Sequence, residues 1–458
     1  MTDTTSRRFF LGAVTAAAAA RVLGANDRIN VAIVGLGGRG SSHLNIYSKM
    51  TEARVVGLCD VSQAALEKAQ ATLLRNTGAK AKEFTDMREA FANPEVEVVS
   101  IATPNHWHAL AAIWAMQAGK DVYGEKPACY NIYEGQRMIQ VAHETKRMMQ
   151  VGSQHRSTPY KMRAMEALHG GLIGDIYLAK GLCFKRRASI GHADDEPTPL
   201  GVNWDLFLGP APMRPFNRLR FVYNWHWFWD TGNGDIGNQG VHEIGLCRWG
   251  LGDPDMPQTA FAQGGKYAYT DDQETPNTLL ASYNYGSREI VFEVRGLLTG
   301  GEGVPVARRP GPPAAGAVAP PASSPSPTTT APIAGGAPLN IMIGNLFYGT
   351  TGWAAMSDGG FQAFKGESNE LVMDERPEKG SDTTELHMQN FLAACRSRNS
   401  KELHDGINNA YLSASLCHLA NISYRVGRKL TLESGPTFAN DAEANKLLTR
   451  EYRKPYVV

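Results

Sequence analysis

Two textures of apolar and polar positions divide the chain. From Asn26 to about Val151, short unbroken apolar runs alternate with segments of helical composition. The runs at 29–34, 53–59, 96–103, 121–127 and 148–151 read as strands buried on both faces, and the segments at 61–74, 85–91, 110–118 and 132–147 as helices. Alternation of this kind implies a parallel sheet covered by helices on both sides, because each parallel connection must cross over. After Arg156 the spacing changes. A helix over 159–170 leads into aromatic and β-branched runs at 175–183, 259–269, 278–285 and 289–295, as expected of a mostly antiparallel sheet with one covered face. The Pro-, Ala- and Ser-rich tract at 300–338 cannot bury a core and is expected to be a disordered insertion between two strands. Order should resume at 339–347, and 384–395 and 408–426 read as the last long helices.

The first strand runs into Gly35-Leu-Gly37-Gly-Arg39-Gly40, which opens a helix. Gly35 suits the tight turn, Gly37 leaves no Cβ between backbone and a pyrophosphate, and Gly40 lets helix pack on strand. The free N–H groups and positive end of that helix favour a diphosphate. Asp60 ends the second strand, where a carboxylate accepts ribose hydroxyls and repels a 2′-phosphate. These features predict a bound dinucleotide, NAD before NADP, with Arg39 keeping NADP open. The expected architecture is an α/β Rossmann domain (a doubly wound parallel sheet) over 26–152, then an α+β domain over 153–458 with a large, mostly antiparallel open sheet. Ligands of such parallel sheets lie beyond the carboxyl ends of the strands. Gly35, Asp60, Thr103, Asn105, Glu125 and Lys126 should therefore converge, with His108 just inside the following helix.

At 458 residues the chain exceeds one ordinary core. Forty-six Lys and Arg against 45 Asp and Glu leave no charge field for nucleic acid or an anionic membrane. Residues 1–25 carry Ser6-Arg-Arg-Phe-Phe-Leu11 before an alanine-rich run too short to span a bilayer, a twin-arginine signal pattern. That implies the twin-arginine (Tat) export machinery as a partner, a periplasmic or otherwise exported location, and no membrane span after cleavage. The six cysteines show no metal-ligand spacing, and no histidine–carboxylate spacing argues for a metal.

The stretches Gly35–Gly40, Thr103-Pro-Asn105, Gly124-Glu-Lys-Pro127 and Gly232-Asn-Gly-Asp-Ile-Gly-Asn-Gln-Gly-Val-His242 resemble those of the glucose-fructose oxidoreductase / inositol dehydrogenase family (Gfo/Idh/MocA). The resemblance covers nearly the whole chain after residue 25, the proline-rich tract apart. It implies that Lys126 sits beside the nicotinamide and bonds the substrate hydroxyl, and that His242 accepts the proton. Chemistry agrees: a neutral imidazole suits that proton, and a fixed ammonium stabilises a developing alkoxide. Many members carry Asp where this chain has Asn238. Asparagine can orient a hydroxyl but shares no proton, so Asp235 is a candidate substitute.

The aromatic segment 203–230, with Trp204, Phe207, Phe216, Tyr223, Trp225, Trp227 and Trp229, suits the C–H faces of sugar rings. Gln154, Arg156, Asp205, Tyr223, Trp225 and Asn238 are the substrate-binding candidates. The expected activity is hydride exchange between a sugar or polyol secondary hydroxyl and a tightly held cofactor, since an exported enzyme meets no NAD pool. Two alternatives stand beside it: an NAD-dependent glycosidase, which Glu-Lys-Pro disfavours, and a non-catalytic sugar-binding protein. Homo-oligomer formation through the open sheet face is a further expectation that the resemblance implies.

Overall fold

The computed structural model describes residues 28–303, 339–433 and 435–458. The export segment expected at 1–25 and nearly all of the 300–338 insertion lie outside the described residues.

Six strands form the N-terminal sheet: β1 (Ile29–Val34), β2 (Ala53–Cys59), β3 (Lys82–Phe84), β4 (Val98–Ile101), β5 (Asp121–Gly124) and β6 (Met149–Val151). All pairs are parallel, in the order β3-β2-β1-β4-β5-β6. The order reverses between β1 and β4, and the crevice this leaves beyond the strand ends is where such sheets bind ligands. β4 and β5 are buried along their whole length, as continuous apolar runs demand.

The second sheet has nine strands: β7 (Ile176–Cys183), β8 (Thr259–Gly265), β9 (Thr278–Asn284), β10 (Glu289–Arg295), β11 (Ile343–Gly349), β12 (Gly352–Ser357), β13 (Gly360–Lys365), β14 (Glu370–Glu375) and β15 (Leu430–Thr431). Their order is β14-β13-β12-β11-β7-β10-β9-β8-β15, antiparallel except at the central β7–β10 pair. Period-two burial in β9 and β10 gives one covered face, packed under the helices Val241–Gly250 and Ile407–Val426. β12 to β14 are additional to the strands expected from sequence.

The helix Thr383–Ser397 crosses back to the first sheet. Its Met388, Phe391, Leu392 and Cys395 share one buried cluster with Val31, Ile33 and Tyr123. This helix thereby ties the second domain to the first sheet. All six cysteines are buried and unpaired.

Candidate active site

A cavity of about 490 Å³ runs along the carboxyl ends of the parallel strands, from Asp60 after β2 to Lys126 after β5. Gly35 has φ +83°, and a Cβ there would lie 2.7 Å from the Ala102 carbonyl oxygen. At Gly40 a Cβ would fall 1.7 Å from the Gly35 oxygen, whereas at Gly37 it would meet nothing within 4 Å. Packing thus dictates Gly35 and Gly40, and Gly37 leaves the bare backbone edge a diphosphate needs. Gly37 caps the helix Gly38–Tyr47 with no side chain, so the helix N–H groups stay available to an anion.

At one end, Asp60 accepts from the Leu36 amide at 2.6 Å and the Ser62 amide at 2.9 Å. Burial pushes its carboxyl up from the ordinary value, opposed by these amides. Thr103 and Asn105 line the middle; the Thr103 hydroxyl is buried without a protein partner, and the Asn105 amide donates to Asn233 Oδ1 at 3.1 Å. These residues fit NAD.

Arg39 departs from the expectation that left NADP open. Its Nε donates to Glu125 Oε1 at 2.7 Å, so the guanidinium faces the end of β5 and not Asp60 at the end of β2. Glu125 is a hub, also contacted by His43 Nε2 at 3.0 Å and Gln154 Nε2 at 3.1 Å. Burial alone would raise its carboxyl, but Arg39, His43 and Lys126 outweigh burial and hold it well below the ordinary value.

Lys126 donates to the Asn238 main-chain oxygen at 2.6 Å and to its Oδ1 at 3.4 Å. That carbonyl lies in a π turn, Ile236–Gly240. The glycines of this segment allow its close seating: a Cβ at Gly237 would meet Asn233 Cβ at 2.4 Å, and one at Gly240 the Phe292 ring at 2.4 Å. The turn feeds directly into the helix Val241–Gly250, which carries His242 near its start. Burial and then the Lys126 charge push the His242 imidazole well below its ordinary value, so the ring is neutral and within the field of the ammonium. Burial first, then Arg39, lowers Lys126, against the pull of Glu125.

Tyr223, Trp225 and Asn238 line the cavity. The Tyr223 hydroxyl accepts from Arg187 at 3.1 Å, and Trp225 stacks on His226 at 3.6 Å. Asp235 is held bidentately by Arg187, at 2.6 and 2.8 Å, and lies 3.5 Å from the Asn238 amide. It orients that amide through a shared contact while its charge is committed to Arg187.

Other candidates are engaged elsewhere, which corrects their expected roles. Arg156 is buried and paired with Asp253 at 2.6 Å and Asp405 at 3.6 Å, because a buried guanidinium needs anions around it. Asp205 pairs with Arg453 at 2.6 Å and accepts from Tyr456 at 3.1 Å. Gln154 stands behind Glu125. His108 lines the cavity, but its ring nitrogens lie 2.7 and 2.8 Å from the Pro127 and Thr103 carbonyl oxygens, between the ends of β4 and β5, so one N–H donates to one of them. Trp204, Phe207, Phe216 and Trp225 form a small core of their own, with Trp204 stacked on Phe207 at 4.8 Å. Most of the aromatic segment therefore stiffens the cavity wall.

Arg187, His43, His155, Lys161, Asp358 and Glu243 stand near this site with no motif to single them out in the sequence. Glu243, beside His242, is buried, has an unpartnered Oε2, and burial pushes its carboxyl up to about 8.

Among curated proteins, inositol 2-dehydrogenase of Salmonella typhimurium is 31% identical over 159 residues, 33% of this chain and 45% of that protein. A glycosyl hydrolase family 109 protein of Shewanella baltica is 27% identical over 125 residues, 26% of this chain and 27% of that protein. These matches thus span less than half of either relative's length. Among solved structures, the WlbA dehydrogenase of Bordetella pertussis, in complex with NADH and UDP-GlcNAcA, superposes with a TM-score of 0.60 at 19% identity, over 89% of this chain and 100% of that one. The aldose-aldose oxidoreductase of Caulobacter crescentus gives 0.61 at 14% identity, over 88% and 100%. Residues 29–153 match the family model for the NAD-binding Rossmann fold of an oxidoreductase family, and residues 179–293 and 361–458 match its C-terminal α/β domain. With both halves matched, the chain belongs to the Gfo/Idh/MocA family of NAD-binding oxidoreductases.

Proposed function

We propose that this protein is an exported oxidoreductase that interconverts a secondary hydroxyl and a keto group on a sugar or polyol, using NAD that it does not release between turnovers. The observation that supports this reading is that Lys126, at the end of the cavity remote from Asp60, bonds Asn238 in the turn that leads into His242, whose imidazole feels the Lys126 charge. Bound NAD supplies the hydride acceptor. Lys126 is placed to donate from Nζ to the substrate oxygen and stabilise negative charge there, and the neutral His242 ring to take the hydroxyl proton. Tyr223, Asn238 and the Trp225 indole offer the hydrogen bonds and apolar face that position a sugar ring. Export rests on the twin-arginine pattern, and tight cofactor retention follows from it.

Native mass spectrometry of the purified protein should find NAD(H) bound. Incubation with a panel of sugars and polyols should then raise the reduced-nicotinamide absorbance without added cofactor. Loss of the nucleotide on a simple desalting column, or no absorbance change with any sugar, refutes the reading.

The glycosyl hydrolase family 109 relatives support a second reading, NAD-dependent glycoside cleavage without net redox change. Release of the aglycone from a chromogenic glycoside, with the nicotinamide absorbance unchanged at steady state, would favour it over the first.

A further inference from the structure

Next to the catalytic pair lies a row of titratable groups that the mechanism above leaves unused. His155 sits in the short turn Gln154–Ser157, and its ring lies edge-to-face against His242, 5.0 Å between centroids at 73°. Lys161, in the first turn of the helix Pro159–His169, places Nζ 2.7 Å from His155 Nδ1 and 2.8 Å from Asp358 Oδ1. Asp358 belongs to the turn between β12 and β13. Exposure rises sharply along the row: the Lys161 side chain is 2% exposed and that of Asp358 is 82% exposed. The three groups join the His242 side of the active site to the protein surface.

Two details give this row a direction. An ammonium can only donate, so His155 Nδ1 is the acceptor, and the proton of the neutral ring is on Nε2. Nothing bonds His242 Nδ1, which is buried without a partner, so no hydrogen bond at that atom fixes the His242 ring. Burying a lysine merely to tie down an exposed hairpin turn is costly, since an apolar side chain of similar length would do the same.

We propose that His155, Lys161 and Asp358 form a proton relay between the surface and the Lys126–His242 pair. The proposal rests on the reading of the site as a hydroxyl–keto oxidoreductase. In the reducing direction His155 gives its Nε2 proton to the active site, directed at His242 or the substrate oxygen. Lys161 gives one Nζ proton to His155 Nδ1. His155 ends neutral with Nδ1 protonated, and Lys161 ends as a neutral amine beside the Asp358 carboxylate. In the oxidising direction each transfer runs backward: the hydroxyl proton arrives on Nε2, and the Nδ1 proton returns to Lys161. One reduction followed by one oxidation therefore restores the starting state, which suits an enzyme that carries out both half-reactions without exchanging its cofactor. Exchange with water at the Asp358 end supplies or removes a proton when only one half-reaction runs.

The test compares Lys161→Met and Lys161→Arg with the parent protein, each with its bound NAD first reduced, in single turnovers with the keto compound that reoxidises the bound cofactor. Arginine keeps the charge and the hydrogen bond but does not give up its proton. Both variants should slow by about tenfold or more, and added imidazole should restore most of the lost rate while leaving the parent unaffected. A Lys161→Arg variant at the parental rate, or variants that imidazole does not rescue, would overturn the relay. Nitrogen-15 spectra of histidine-labelled protein add a readout that needs no substrate. His155 Nδ1 found unprotonated near neutral pH in the parent, and changed in Lys161→Met, supports the relay; Nδ1 found protonated overturns it. If no sugar reduces the bound NAD, the oxidoreductase reading falls, and the nitrogen-15 spectrum still rules on the relay's proton assignment.

Discussion

The ammonium of Lys126 is anchored by the main chain of Asn238 and not chiefly by its side chain: 2.6 Å to the carbonyl oxygen against 3.4 Å to Oδ1. The two bonds separate in mutants. Lys126→Met should lower kcat by about 10³-fold while leaving NAD bound, since one charged donor to a developing oxyanion contributes on that scale. Asn238→Ala keeps the backbone bond and should cost only about two- to fivefold in kcat, with KM rising where the amide touched a substrate hydroxyl. Steady-state kinetics on both variants checks this. An Asn238→Ala variant as inactive as Lys126→Met would mean that the amide, not the carbonyl, positions the lysine.

Cofactor choice depends on Asp60 without help from Arg39, whose guanidinium is committed to Glu125. A 2′-phosphate would enter beside a carboxyl with no cation assigned to it, and like-charge contacts cost several kcal/mol. NADP should bind at least about 100-fold more weakly than NAD to nucleotide-stripped protein. Asp60→Ser should narrow that gap mainly by weakening NAD. Titration followed by calorimetry gives both constants. Equal affinities in the parent would return Arg39 to the ribose side.

The N-terminal half was legible because one signal, unbroken apolar runs at strand length, repeats with turn glycines between them, and parallel sheets bury both strand faces. Gly35, Gly37 and Gly40 carry distinct steric demands, and those demands are visible in the residue types alone. The second domain was harder. β14 alternates exposed and half-buried positions as an edge strand, so its pattern carries little apolar weight. The helix Thr383–Ser397 shows an apolar stripe, yet a stripe does not say which sheet it covers. Arg156 and Asp205 were misplaced for a related reason. A charged side chain looks alike in sequence whether it meets a ligand or a protein partner, and their partners lie 97 and 248 residues away. Glu243 and Lys161 follow the same logic in reverse, since nothing in their local sequence announces burial.

Arg156 should behave as a structural residue. It is enclosed by Asp253 and Asp405, and Trp249 lies 5.0 Å from its guanidinium carbon. Arg156→Met leaves Asp405, which is 2% exposed, without its arginine, and Asp253 with only Arg248 at 3.8 Å. Removing one partner from such a network costs about 3–5 kcal/mol. Denaturant unfolding should register that loss, while KM of the fraction that remains folded stays near the parental value. A large rise in KM with unchanged stability would restore the substrate-binding role.

Glu243 predicts a pH dependence of stability with a definite sign. Burial raises its folded-state carboxyl from 4.5 to about 8, whereas in the unfolded chain it titrates as an ordinary glutamate. Between those values the folded state holds a proton that the unfolded state has lost. The folded protein is therefore favoured below pH ~4.5, and this contribution disappears progressively as pH rises toward about 8. At about 1.4 kcal/mol for each pH unit between the two values, the effect amounts to a few kcal/mol. Glu243→Gln keeps the shape and an accepting oxygen for the Gln239 amide, which lies 3.2 Å from Glu243 Oε1, and removes the titration. Melting temperatures measured from pH 5 to pH 9 should fall more steeply in the parent than in Glu243→Gln, with the variant the more stable of the two at the alkaline end. Parallel curves would show that Glu243 ionises in the folded protein much as it does in water.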